Sequence, residues 1–196
     1  MNAQQLQART LAACFAPPVR RAAAHLRKGG LLVYPTEAVW GLGCALSNAE
    51  GCERVLELKR RDAGKGLILV AAHIAQFEPL LDGIGRARRA ELNRAWPGPT
   101  TFLVETDAEL PPAIRGGHSK VALRVSAHPV VRALCLLAGE PLVSTSANLS
   151  GGRSPRYSFQ ARQRFGTAVH YCPGQVDLGA RPSRIQDLAS GRVLRA

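Results

Sequence analysis

Short apolar runs rich in β-branched residues alternate along this chain with stretches whose apolar positions recur at helical spacing. Runs at 31–34, 67–71, 101–105, 121–125 and 142–144 predict strands, and shorter runs predict further strands at 169–172, 184–188 and 193–195. Helical patterns fall at 19–28, 49–60, 74–81, 86–95, 128–138 and 159–165. The 49–60 helix takes Ser47 or Asn48 as its N-cap and sets Val55, Leu56 and Leu58 on or near its buried side. Gly29-Gly30 closes the 19–28 helix, and Pro97-Gly98-Pro99 stops the 86–95 helix. Strands and helices in mixed order predict an α/β fold, a twisted mixed sheet with flanking helices, as one domain over residues 1–196. Two stretches, 107–120 and 150–157, predict irregular loops; either could be a plain connection, but a loop of this length more often covers a site.

Charge narrows this picture. The 196 residues carry a formal net charge of +12, and Lys occurs only at Lys28, Lys59, Lys65 and Lys120, so Arg supplies most of it. Arg presents a planar fork of donors that fits phosphate, and the bias suits polyanionic ligands; an Arg-rich composition with no ligand behind it is the plainer reading. Residues 1–36 contain no Asp or Glu, which loosely resembles a transit peptide. The helix at 19–28 leads straight into a strand, so a first surface helix is the preferred reading there. The five Cys form no C-x-x-C pair, which argues against a disulfide framework or zinc site and for a reducing, cytoplasmic setting. No apolar run approaches the ~18 residues that a membrane span needs.

Common phosphate and nucleophile signatures fail. Gly64-Lys65-Gly66 lacks the spacing and hydroxyl of a P-loop, Leu46 stands where a dinucleotide fingerprint needs glycine, and there is no G-x-S-x-G elbow. Three other segments carry candidate chemistry. Residues 34–43, Tyr34-Pro35-Thr36-Glu37 through Gly41-Leu42-Gly43, follow a strand, where ligand sites of α/β sheets form; an ordinary turn capped by Thr36 is the competing reading. Lys59, Arg60, Arg61 and Lys65 put four cations within seven residues, enough to neutralise a triphosphate or simply to favour a helix C-terminus. Residues 142–151 end a strand in Ser144, Thr145, Ser146 and Asn148, small groups that bind phosphate or carboxylate oxygens without bulk, or that cap a turn.

Taken together and in order, these segments resemble the YrdC/TsaC family. The resemblance rests on a K-x-R motif at Lys59-Arg60-Arg61, an S-x-N motif at Ser146-Ala147-Asn148, Pro35-Thr36-Glu37 with Gly41-Leu42-Gly43, Trp96-Pro97-Gly98-Pro99-Thr100-Thr101, and Ala122-Leu123-Arg124-Val125. It runs from about residue 20 to the C-terminus and is closest to the short, single-domain bacterial form. One departure is Lys65-Gly66-Leu67, where relatives often carry Pro-Leu after the second lysine.

The resemblance implies a basic concave cavity and a nucleotidyltransferase reaction. L-threonine, bicarbonate and ATP, with Mg²⁺ on the phosphates, would give threonylcarbamoyl-adenylate and pyrophosphate. A separate transferase complex would then modify adenosine next to the anticodon of tRNA. It implies catalytic roles for Lys59, Arg61 and Arg124, and a threonine side made by Thr36, Arg124, Ser144 and Ser183. It implies an ATP side made by Lys59, Arg61, Lys65, Thr101, Ser146, Asn148, Ser154 and Arg195, with no protein metal site. Thr36, Lys59, Arg124 and Ser146 should then converge on one cavity, with Lys59 within about 15 Å of Ser146. Two alternatives stay open: a non-catalytic module that binds double-stranded RNA or tRNA, and a relative acting on another carbamoylatable substrate.

Overall fold

The computed structural model describes residues 1–195, so Ala196, the last residue of the expected domain, lies outside the described residues. The strands are β1 (Leu32–Pro35), β2 (Trp40–Ala45), β3 (Ile68–Ala71), β4 (Thr100–Glu105), β5 (Lys120–Val125), β6 (Leu142–Ser146), β7 (His170–Tyr171), β8 (Arg184–Asp187) and β9 (Val193–Arg195). The α-helices are α1 (Ala3–Phe15), α2 (Pro17–Arg27), α3 (Ala49–Lys59), α4 (Arg86–Ala95), α5 (Pro112–Arg115), α6 (Pro129–Ala138) and α7 (Ser158–Phe165). Two 3₁₀ segments, Ala63–Lys65 and Ile74–Leu80, complete the path. All nine strands form one mixed sheet in the order β7-β1-β2-β6-β3-β5-β4-β8-β9.

The period-2 geometry of the strands explains where the site falls. In β5, Val121, Leu123 and Val125 are buried, while Lys120, Ala122 and Arg124 on the other face are half-buried. The first face packs into the larger core, against Val55, Leu56, Leu69, Phe102 and Val143 among others. Half of the second face is covered by α2 and α6, whose Val19, Leu26, Val131 and Leu134 pack on Leu32, Tyr34, Val70 and Leu142. Each fully buried Val or Leu of this layer stabilises by about 1.5–3 kcal/mol. Beyond that layer the same face turns polar. Along β6 it reads Leu142, then Ser144, then Ser146, with Ser144 paired to Gly43 and Ile68, and Ser146 to Gly41. The helices therefore end where the hydroxyls begin.

Local chemistry accounts for most elements. Asn48 caps α3 by accepting from the Gly51 amide at 2.8 Å. Proline at the N-terminus of α6 and Gly139 at its end, with φ of 84°, frame that helix. Three features differ from the sequence expectation. Residues 3–15 form α1, opened by an Asn2–Gln5 capping box, and Arg132 of α6 donates to Thr10 at 3.2 Å to hold it. Residues 40–43, expected within the candidate ligand segment 34–43, belong to β2. Within 107–120 lies the short helix α5.

The far edge of the sheet is tied by Lys120, whose ammonium donates to Asp187 at 2.5 Å; this bond, with help from Ser190, pulls the carboxyl down to about 2. A carboxyl held below its ordinary 3.8 contributes stability that is complete above that value and lost as pH falls through about 2. Urea midpoints of the wild type and Asp187→Asn should therefore differ at pH 6 and converge toward pH 2. A gap that persists unchanged at pH 2 would count against the pairing.

Candidate functional site

The open half of the sheet's second face floors a cavity of about 730 Å³. Gly41, Ile68, Val70, Ala122, Arg124, Ser144 and Ser146 form its floor, matching the register that pairs β3 with β5 and β2 with β6. Thr36, Glu37, Arg61, Lys65, Ser154, Ser183 and Arg195 stand around it. Nine of the twelve expected site residues thus border one cavity: Thr36, Arg61, Lys65, Arg124, Ser144, Ser146, Ser154, Ser183 and Arg195.

Thr36 sits in the tight turn between β1 and β2. Its amide and its hydroxyl both donate to the Val39 carbonyl, at 3.1 and 2.6 Å, which fixes the side chain at the cavity rim. Arg61 follows α3 and donates through Nε and Nη2 to the Gly66 carbonyl at 3.2 and 3.0 Å. It thereby closes the 61–66 loop on itself and presents the rest of its guanidinium to the cavity. That loop is zipped to α5. Leu67 donates to the Ile114 carbonyl at 3.0 Å and Gly117 to that of Gly64 at 3.1 Å. Gly66 and Gly116 both have φ of 60°, and a Cβ on Gly66 would lie 2.7 Å from the Ile114 oxygen, so only glycine fits this seam. This is the path taken by Lys65-Gly66-Leu67.

Lys59, Thr101 and Asn148 do not border the cavity; the structure sets them behind its wall. Lys59 is 1% exposed, and its ammonium donates to the carbonyls of Ser146 and, at 2.6 Å, of Asn148. It meets the S-x-N segment through main-chain oxygens, well inside the expected separation. Burial first, and then Arg61 and Arg164, pull its pKa down to about 8. With a pKa of about 8 it is mainly cationic at neutral pH, and the two carbonyls accept from its ammonium. Lys59, expected at the triphosphate, is turned away from the cavity here, and its ammonium holds the turn from Ser146 to Asn148. Asn148 donates its amide to the Leu149 and Gly152 carbonyls at 2.7 and 2.8 Å and accepts from Ser154 at 3.4 Å. Thr101 is fully buried against Ser183 at 3.0 Å, and Arg195 donates to the Ser183 carbonyl and hydroxyl, so these three form one linked wall.

The residue-by-residue expectation left out Glu37, Arg115, His118, Lys120 and Arg181, although the 34–43 candidate segment contains Glu37; all five border the cavity. Arg115 and His118 fall in the 107–120 stretch already expected to cover a site. Glu37 had a clearer signal: it is the first acidic residue of a strongly basic chain, and it directly follows Thr36. Among the described residues no helix is long and apolar enough to cross a membrane.

The fold is an α/β domain in which a mixed nine-stranded sheet is half covered by helices and half opens on a basic, hydroxyl-lined cavity. A family profile described as Telomere recombination (Sua5/yciO/yrdC) matches residues 24–196. The chain belongs to the Sua5/YciO/YrdC family. It is 48% identical over 174 residues to a protein of Chromohalobacter salexigens named threonylcarbamoyl-AMP synthase, covering 89% of this chain and 94% of that one. It is 43% identical to the protein of the same name from Thiobacillus denitrificans, covering 88% and 92% of the two chains. A solved structure of P. abyssi Sua5 complexed with L-threonine superimposes with a TM-score of 0.81 at 32% identity. That match covers 89% of this chain and 52% of the Sua5 chain, so this chain spans about half the length of that protein.

Proposed function

We infer that this protein is a threonylcarbamoyl-AMP synthase, a nucleotidyltransferase that converts L-threonine, bicarbonate and ATP into threonylcarbamoyl-adenylate and pyrophosphate. The observation that carries the reading is similarity across nine-tenths of the chain to proteins of that name. The cavity supports it with the right chemistry. Threonine's unprotonated amine captures carbon dioxide or bicarbonate as a carbamate. A carbamate oxygen then forms a bond to the α-phosphorus of ATP, and the bond from that phosphorus to the bridging oxygen of pyrophosphate breaks. Two anions must meet, so charge neutralisation and alignment are the main catalytic demands. Arg61, Lys65 and Arg195 supply cations to the triphosphate, while Ser146 and Ser154 supply small donors. Arg124, Thr36 and Ser144 hold threonine and its carbamate. Ser183 closes the threonine side, with Thr101 behind it. Lys59 and Asn148 fix the turn that presents Ser146.

Mg²⁺ enters in this reading with the ATP substrate, on its phosphates. The product passes to a separate transferase that acts on tRNA. Over the non-catalytic RNA-binding alternative, the reading is favoured by the convergence of small hydroxyls with cations in an enclosed cavity. Incubation with threonine, bicarbonate and ATP should release pyrophosphate and accumulate the adenylate, each dependent on all three substrates. Pyrophosphate release that ignores threonine, or none at all from folded protein, would reject the assignment.

A further inference from the structure

Glu37 has no role in the chemistry above, yet it is a buried carboxylate tethered to the fold at both its main chain and its side chain. Its backbone carbonyl accepts from the Asp177 amide at 2.9 Å. Its Oε1 accepts from the Ser126 hydroxyl at 2.8 Å and from the Ala127 amide at 2.9 Å. Ser126 is itself fully buried, donates its amide to the Ala71 carbonyl at 3.0 Å, and receives the His128 amide on its hydroxyl at 3.0 Å. The second oxygen, Oε2, has no hydrogen-bond donor, is out of reach of solvent, and lies 3.4 Å from Nη2 of Arg124. Arg124 is 11% exposed at its side chain, and its Nε is likewise buried without a partner. Each group's uncompensated atom therefore has the other's charge as its counterweight. A buried carboxylate with one bare oxygen is costly unless a cation stays beside it, and a cation so held has little freedom to swing.

We propose that Glu37 is a positioning residue that fixes the guanidinium of Arg124 in the cavity, through a carboxylate anchored on Ser126 and Ala127. Glu37 does not touch substrate; it sets the direction in which Arg124 presents its free donors. The Glu37 carboxyl is held below the usual carboxylate range despite burial, with Arg124 the largest favourable cause, so the carboxyl is ionised at neutral pH. The proposal rests on the assignment of Arg124 to the threonine side of the cavity.

The test is a double-mutant cycle on the full chain, reading KM for threonine and for ATP separately. Glu37→Gln keeps a carbonyl for Ser126 and Ala127 and turns an amide donor toward Arg124. It should raise the threonine KM by about tenfold or more, the scale of losing one charge-assisted contact, with the ATP KM within about twofold. Arg124→Gln should raise the threonine KM at least as much, and adding Glu37→Gln to it should change little, because the carboxylate acts only through the guanidinium. An unchanged threonine KM in Glu37→Gln overturns the proposal. So does a parallel rise in both KM values with a lowered melting temperature, which marks a structural role, or full additivity in the double variant. If Arg124→Gln itself leaves the threonine KM unchanged, the assignment of Arg124 fails and the positioning role falls with it, while pyrophosphate formation by the wild type stands. Should Glu37→Gln not fold, Ser126→Ala replaces it: loss of one tether should move the threonine KM in the same direction, and no movement counts against the proposal.

Discussion

Replacing Lys59 with Met should both destabilise the protein and nearly abolish adenylate formation. Met fills most of the space of the lysine stem, so the substitution tests the ammonium and not the packing. Without it, the Asn148 carbonyl has no remaining donor in a buried setting, whereas the Ser146 carbonyl keeps the Asn148 amide at 2.9 Å. One orphaned buried carbonyl costs about 1–3 kcal/mol, partly offset because a buried charge is removed as well. The net loss should be about 1–2 kcal/mol in urea unfolding at pH 7. Activity should fall by about 10²-fold or more, because the turn from Ser146 to Asn148 no longer holds its donors in place. The comparison is Arg61→Met, whose side chain is partly exposed and bonds only to its own loop. That variant should lose ATP affinity with a stability change under about 1 kcal/mol. A pH series adds a signature. The Lys59 pKa is about 8 in the folded chain against an ordinary 10.5, so the unfolded chain binds more protons between those values. Stability attributable to this residue therefore rises with pH across that window, and the slope should vanish in Lys59→Met. Activity lost with stability and slope both intact would return Lys59 to direct contact with the phosphates.

That outcome also marks what was legible in the sequence. The buried stripe of α3 is Cys52, Val55, Leu56 and Lys59, spaced i, i+3, i+4, i+7, so position 59 lies on the core side by helical period alone. A lysine there reads as solvent-facing only if its charge is given more weight than its position. The long apolar runs that became β3, β4, β5 and β6 were readable because β-branched and aliphatic content agrees with their burial. The 40–45 strand was not, because Gly41 and Gly43 have low strand preference and signal a turn. Their place in β2 is set by pairing with β1 before it and with β6, whose Val143 is distant in sequence. Helix α1 was hidden for another reason: it buries only Leu6 and Thr10 and carries no charge pattern along its length. Thr36, Arg61, Arg124, Ser144 and Ser146 could be assigned through family resemblance, and the period of β5 and β6 then explains why three of them share a face. Glu37 could not be ranked, because its importance lies in a tether to Ser126 and Ala127, some ninety positions away.

The glycines of β2 yield the other large effect. In Gly43→Ala, the new methyl carbon would sit 1.8 Å from the Val143 carbonyl oxygen of β6. That obstacle is main chain in the middle of the sheet, so relief requires moving β2 away from β6 and weakening the ladder that pairs Gly43 with Ser144. Overpacking a well-filled interior costs typically 1–3 kcal/mol, and a backbone obstacle lies at or above the top of that range. Gly43→Ala should therefore lose about 3 kcal/mol or more, with threonine and ATP affinity falling together because β6 carries both Ser144 and Ser146. Gly85→Ala is the control for open space: it caps α4 with nothing within 4 Å of its added carbon, and should lose no more than about 1 kcal/mol, the scale of a changed N-cap. Gly41→Ala separates function from stability. Its methyl would lie 3.0 Å from Cγ2 of Thr36 and 3.3 Å from the Tyr34 ring, side chains that can shift by a few tenths of an ångström. The stability loss should be under about 2 kcal/mol. Thr36 is fastened to Val39, so the displacement is transmitted to the rim, and threonine binding should suffer more than ATP binding. Isothermal titration with each substrate, alongside urea unfolding of the three variants, reads both effects. A wild-type midpoint for Gly43→Ala would mean that β2 and β6 are not held at the separation described here.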